Sequence, residues 1–233
     1  TRLVLSLQGP ISVATGSRLA IVADAVYSNG AVVRVSPNWV SAGGVGDVDS
    51  QGVFTASAQA AFGTLAATFQ TATASIVVAV VDPGALTDAM VEAPVGVVPG
   101  AIALGAEVPF YVTAVSGGSG RIYVGADAGS WAVSGGVGTI NANTGLFAAG
   151  ALGTGSVSAS VDGLSATPLA IRVVQTVRVT GSVRNARTLA GISNVAVAFL
   201  YADRTEAARL TTGADGTFQG QIPTSSTMCY VPT

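Results

Sequence analysis

Residues 39–54 read Trp39-Val40-Ser41-Ala42-Gly43-Gly44-Val45-Gly46-Asp47-Val48-Asp49-Ser50-Gln51-Gly52-Val53-Phe54, and residues 131–147 read Trp131-Ala132-Val133-Ser134-Gly135-Gly136-Val137-Gly138-Thr139-Ile140-Asn141-Ala142-Asn143-Thr144-Gly145-Leu146-Phe147. The tryptophans and the Gly-Gly-Val-Gly blocks lie 92 positions apart, whereas Gly52 with Gly145 and Phe54 with Phe147 lie 93 apart. The second copy therefore carries one extra residue in its turn. A repeat of this length implies small, similar modules in series. Upstream, Gly16, Leu19, Ile21, Ala23 and Ala25 are answered at an offset of 89 by Gly105, Val108, Phe110, Val112 and Ala114. Downstream, Leu65, Ala67 and Phe69 are answered at an offset of 92 by Val157, Ala159 and Val161. In each set apolar residues recur at every second position, the period of a strand with one face in a core. Each unit closes on a β-branched run, Ile76 to Val81 and Ile171 to Val174, and clusters such as Ser28-Asn29-Gly30 and Gly117-Gly118-Ser119-Gly120 punctuate hairpins. Many short, evenly spaced strands without helical periodicity predict an all-β chain that opens with two β-sandwiches.

The order of these elements also resembles a known family. An apolar strand, a Trp-x-x-x-Gly-Gly-x-Gly block, a Gly-x-Phe turn and a Gly-Thr before the last strand pair are similar to the bacterial Ig-like modules, group 2 in particular, over residues 1–81 and 86–174. The resemblance implies an Ig-like, invasin/intimin-like sandwich, used mostly as a spacer or adhesive module on bacterial surface proteins, with no catalytic constellation to carry over. After Val174 the pattern changes. Val177 to Val183 alternates, Gly191 to Phe199 is a turn and a strand, and Thr212-Gly213-Ala214-Asp215-Gly216-Thr217-Phe218 leads to Ile222-Pro223. This stretch, residues 176–223, resembles the carboxypeptidase regulatory-like (transthyretin-like) module, and Asp215-Gly216 suits a hairpin turn that needs positive φ. Such modules continue for one or two more strands, so residues 225–233 are expected to leave this sandwich without its closing strand. The expected division is 1–82 and 83–174, two tandem Ig-like β-sandwiches, and 175–233, a carboxypeptidase regulatory-like β-sandwich, in an extended rod joined through Asp82-Pro83-Gly84 and strand to strand at Val174 to Thr176.

Composition narrows the chemistry. Of 233 residues only 9% are charged, all ten basic residues are Arg, and Lys and His are absent. A Ser-His-Asp triad, a His-bearing zinc site, a Ser-Lys dyad, a Schiff base and a P-loop are thereby excluded, as are Lys–Asn isopeptide cross-links. The twelve acidic residues are scattered, mostly in turns, which does not suit the facing carboxylate pair of a glycosidase. A net charge of −2 and the lack of a basic stripe speak against nucleic acid. No charge occurs from Ser50 to Val81 or from Ala128 to Val161, yet polar residues interrupt these stretches far short of the about 18–20 apolar residues of a transmembrane helix. With 6% aromatic residues, the girdles of an outer-membrane barrel are not evident either. Natural sandwiches blunt their edges with charges, Lys above all. A surface this poor in charge is either neutralised by Ser and Thr or covered by neighbouring subunits. The single Cys229 is read as a strand cysteine or an intermolecular bridge, and the absence of Met at Thr1 as compatible with a removed leader.

Few residues stand out as candidates. Asp47-Val48-Asp49-Ser50-Gln51-Gly52 resembles the opening of a calcium loop, but Gln51 and Ala58 stand where further ligands belong, and the second copy has Thr139 and Asn141 in place of Asp47 and Asp49. Calcium at a module junction would draw on Asp82 and Asp88 with Asp24 or Asp127. No other cofactor is expected. Trp39 and Trp131 are read as equivalent core residues, with Phe54, Phe147 and Phe218, rather than as sugar-stacking platforms. Leu86 to Val91 and Arg121 to Val124 are the nearest to a non-repeated recognition cluster. The expected function is non-catalytic and extracellular: a bacterial cell-surface stalk, surface-layer or filament subunit that self-associates or contacts neighbouring surface proteins. The alternative is an adhesin or a carbohydrate-binding accessory region of a larger secreted protein. Thr1 to Leu7, alternating and apolar on one face, is a candidate donated strand for another copy, or the first strand of its own module.

Overall fold

A computed structural model describes residues 1–27, 31–202, 204–224 and, for the backbone alone, 227–230. The expected turn at Ser28-Asn29-Gly30 and the Cys229 side chain lie outside the described residues. The described chain is all-β; its one helical element is a single 3-10 turn at Pro99–Ala101.

Alternation builds the first core. Along Ala72–Val81, Ile76, Val78 and Val80 point into the core while Thr73, Ser75 and Val77 point out. This strand pairs antiparallel with Ala61–Phe69 and parallel with Ile11–Ala14, and Asn38–Ala42 closes that side on the far edge of Ala61–Phe69. Facing it are Arg2–Leu5, Ala23–Val26 and Val32–Val35 in one sheet, and Arg18–Ala20, Val53–Ala56 and Gly46–Val48 in another. Leu3, Leu5, Leu7, Phe54 and Leu65 fill the space between. Thr1 to Leu7 is thus the first strand of its own module, held by Ala23–Val26 with Leu3, Leu5 and Leu7 buried, and not free to be donated.

The second module repeats this topology, except that the tip of its last hairpin, Ser160–Val161 with Leu164–Ser165, is a separate pair. Leu86–Glu92, Tyr111–Ser116 and Gly120–Val124 form one layer element; Ile102–Ala103, Leu169–Val174, Gly153–Ser158 and Ala132–Val133 the next; Glu107–Pro109, Leu146–Ala149 and Gly138–Ile140 the last. Even the register follows the sequence offset. Val40 opposes Ala66 as Ala132 opposes Ser158, and Leu19 opposes Phe54 as Val108 opposes Phe147. The Gly-Gly-Val-Gly block explains itself here. A Cβ on Gly43 would lie 2.3 Å from the Phe62 carbonyl oxygen, and one on Gly135 2.2 Å from that of Thr154, while Val45 and Val137 plug the two cores. The block is where two backbones touch, so only glycine fits.

The third unit is thinner. Thr176–Ser182 pairs with Thr217–Pro223, and Ala196–Leu200 lies between Glu206–Thr211 and Thr227–Tyr230. Its core is Val197, Phe199, Phe218 and Ile222, with the Phe199 and Phe218 rings 6.3 Å apart and steeply tilted. The strand Thr227–Tyr230 occupies the edge that the sequence reading left empty. Its four residues carry no alternating pattern, and the pairing with Ala196–Leu200 supplies the order that local sequence does not. Gly216, at φ +76°, makes the expected turn, with Asp215 Oδ1 accepting the Thr217 N–H (2.9 Å).

Candidate functional site at the junction of the first two modules

The first two modules share a sheet. Ile11–Ala14 pairs on one side with Ala72–Val81 and on the other, in parallel, with Gly120–Val124 at Tyr123 opposite Val13. Seven strands thus run unbroken across the boundary, from Leu86–Glu92 at one edge to Asn38–Ala42 at the other.

Tyr111 fastens the join. It belongs to the second module's strand Tyr111–Ser116 but packs in the first module's core, only 1% exposed. The Val22 N–H donates to Ser6 Oγ (3.0 Å), the Ser6 and Tyr111 hydroxyl oxygens lie 2.7 Å apart, and Tyr111 Oη donates to the Ala20 carbonyl (2.9 Å). Because the single phenolic proton goes to Ala20, Ser6 must donate to Tyr111, and every member of this buried chain is satisfied. Burial, above all, pushes the Tyr111 hydroxyl well above the usual tyrosine range. Tyr123 stands edge-on to Tyr111, with centroids 5.7 Å apart, and is raised too, by burial and then by Glu92. Around them the Gly125 N–H donates to Ser17 Oγ (2.9 Å), and a Cβ on Gly125 would lie 2.8 Å from the Arg18 nitrogen. Arg34 Nε donates to Asp24 (2.7 Å) and Arg34 Nη2 to the Glu107 carbonyl of the second module (3.2 Å). No repeat or motif in the sequence marks Tyr111 or Tyr123. The available signal was Phe110-Tyr111-Val112-Thr113-Ala114, where bulky residues occupy both faces and the alternation fails, as it does in a strand buried on both sides.

The other expected site residues fall apart from one another. Asp47 accepts a hydrogen bond from Ser41 Oγ (3.2 Å), and Asp49 accepts the Gln51 and Val53 N–H groups (2.9 Å each), shaping its own turn. In the second copy Asn141 does the same for Asn143 and Thr144. Asp24 is taken by Arg34, Asp88 by Arg121 and Asp82 by the Gly84 N–H. Asp127, drawn below the usual carboxylate range chiefly by Ser160 Oγ, also accepts the N–H groups of Asp162 and Gly163. Among the described residues no three His, Cys, Asp or Glu side chains gather as a metal-ligand group. Leu86 to Val91 and Arg121 to Val124 lie on strands of the shared sheet.

Phe54, Phe147 and Phe218 are buried, and so is Trp131, at 7% exposure. Trp39 differs: it is half-buried at the rim of the first core. The inserted turn residue is the reason. The longer turn of residues 141–145 folds over Trp131, whose backbone N–H donates to the Ala142 carbonyl (3.4 Å), and a Cβ on Gly145 would lie 2.7 Å from its ring. The shorter turn of residues 49–52 gives Trp39 no such lid; the equivalent Gly52 faces the Ile21 carbonyl.

These features define tandem Ig-like β-sandwich modules. Comparison with solved structures agrees: surface layer protein SbsC, domains 4–9, superposes with a TM-score of 0.50 at 15% identity, covering 78% of this chain and 33% of that one. The chain thus spans about a third of the length of that domain 4–9 structure. SbsC domains 5–6 match at 16% identity and a TM-score of 0.44, over 75% of this chain and 97% of that one. The titin tandem Ig domains A164–A165 match at 13% identity and a TM-score of 0.21, over 73% and 95%. No protein-family model and no curated protein matches the chain.

Proposed function

We propose that the chain is a non-catalytic structural segment of an extracellular, bacterial cell-surface protein, a stalk, surface-layer or filament component. The observation that carries this reading is the fused junction. A shared sheet and a buried tyrosine fix two modules directly against each other, which suits a part whose work is to hold shape. The residue inventory supports it, since a chain without Lys or His lacks the usual nucleophile activators. So does the likeness in fold to a protein described as a surface-layer component. In this reading residues 1–82 and 83–174 are group 2 bacterial Ig-like modules, residues 175–233 are a carboxypeptidase regulatory-like module, and no cofactor is required. Partners are further copies or neighbouring surface proteins. Immunogold labelling of native cells with antibody raised against the chain tests it: label on ordered surface material is expected, and label confined to the cytoplasm would reject it.

A second reading, an adhesin or carbohydrate-binding accessory region, is favoured by one observation, the half-buried Trp39 at the rim of the first core. Titration with soluble polysaccharides, followed by tryptophan fluorescence, separates the two.

A further inference from the structure

The chain has two joints, and they are built differently. At the first, the cores interlock: Tyr111 packs in the first core and Ala14 in the second. Strand pairing adds to this, with Val13 held between Val80 of its own module and Tyr123 of the next. By the offset of 89, Ile102 is the second module's counterpart of Val13, and it pairs with Val173 as Val13 pairs with Val80. Yet on the outer side of Ile102–Ala103 no strand follows among the described residues. The third unit's edge strand Glu206–Thr211 lies instead across a cleft of about 320 Å³. Val97, Val98, Ile102 and Ala106 line one wall, and Ala207 and Leu210 the other.

Little else crosses this second joint. The chain passes over it in one residue, Gln175, between Leu169–Val174 and Thr176–Ser182. The third core shares no residue with the second. Among the described residues the side-chain contacts across the joint converge on Tyr201. Its hydroxyl donates to the Gly100 carbonyl (3.2 Å) on the 3-10 turn, and the Arg172 guanidinium lies 5.4 Å from the centre of its ring. The fold does not demand Arg172, because the first module has Ala79 at the same register position. A water-exposed hydrogen bond and an exposed cation–ring contact are each weak. Domains joined without a large apolar interface move relative to one another.

We infer that the third unit swings as a body about Gln175, while the first joint stays fixed, and that Arg172 and Tyr201 form the catch that holds the arrangement described here. The cleft leaves room for the movement, since opening it breaks no close-packed contact between the two cores. The arc is short. The strands on either side of Gln175 are bound into their own sheets, so the turn is taken up by the backbone torsions at that residue and its immediate neighbours. This pivot belongs to the chain itself and stands whether or not the surface reading does.

Single-molecule fluorescence energy transfer in the full chain, with Cys229→Ser as background, tests it. Dyes at Thr55→Cys and Thr139→Cys span the first joint, and dyes at Thr139→Cys and Ala214→Cys the second; all three positions are exposed. One narrow distribution is expected across the first joint and a broad or split one across the second. Arg172→Ala imports the first module's residue, so the scaffold tolerates it. It should deplete the main state of the second pair about two- to fivefold relative to the swung states and leave the first pair unchanged. Tyr201→Ala, which removes ring and hydroxyl together, should deplete it further. A dye pair within the third unit, at Arg187→Cys and Ala214→Cys, should keep one value throughout, as a unit moving as a body requires. Equally narrow distributions across both joints overturn the inference, as does a second-joint distribution that neither variant moves. Broadening of the pair within the third unit in step with the second joint means unfolding rather than swinging, and overturns it too.

Discussion

At the residue scale, Tyr111 carries the most consequence. Removing its hydroxyl leaves Ser6 and the Ala20 carbonyl without their buried partner, so Tyr111→Phe is expected to cost about 1–3 kcal/mol in urea denaturation near pH 8. The pH dependence has a definite sign. Burial raises the folded-state value of Tyr111 above the ordinary tyrosine value of about 10. The stabilisation is therefore complete below pH about 10 and is lost as pH rises toward the folded value. Between pH 8 and pH 11 the parent is expected to lose stability and the Phe variant to lose less, Tyr123 supplying the remaining dependence; equal losses would refute the assignment. The tryptophans make a second residue-scale contrast. Trp131→Ala is expected to cost about 3–5 kcal/mol, and Trp39→Ala clearly less, because Trp39 is already half in water. The sequence made the tryptophans equals. Their difference depends on which turn lies above each ring, a relation that strand periodicity does not encode.

At the element scale, much was legible. The offsets of 92 and 93 reappear as matching registers in space, and the extra residue sits where the sequence places it, between Ile140 and Phe147. The Gly-Gly-Val-Gly block was visible as a repeat, but its cause, backbone touching backbone, required the structure. Gly135 combines φ +83° with a carbonyl oxygen 2.2 Å from any added Cβ, so Gly135→Ala is expected to destabilise by more than about 1 kcal/mol in the same denaturation assay. Replacing Asn141 to Gly145 by Asp49 to Gly52 should keep the hairpin while uncovering Trp131, read as a red shift of its emission. An unshifted spectrum would show that something other than the turn covers the ring. The pairing of Thr227–Tyr230 was not legible, because four residues without alternation acquire strand geometry only from the neighbour they join.

At the scale of the whole molecule, the sequence pattern gives modules in series but not how they meet. Strand alternation reports which face is inside, not whether an edge is shared, and the junction rests on single residues such as Tyr111, Ser17 and Gly125. Calorimetry of the full chain is expected to show the small third core melting first, then the first two modules melting together. Tyr111→Ala should split that later transition in two. Separate melting of the first two modules in the parent would mean that the shared sheet does not couple them.

The parallel pairing that closes each module bears on tension. Ile11–Ala14 lies near the start of the first module and Ala72–Val81 at its end, and they run the same way. A pull that draws the two ends of the module apart drags these strands past each other, so the rungs between them are loaded together rather than peeled one after another. In the first module four residue pairs share that load; in the second, Ile102–Ala103 against Leu169–Val174 offers two. Stretched between a bead and a surface, the chain should extend in unequal steps, with the second module yielding at lower force than the first.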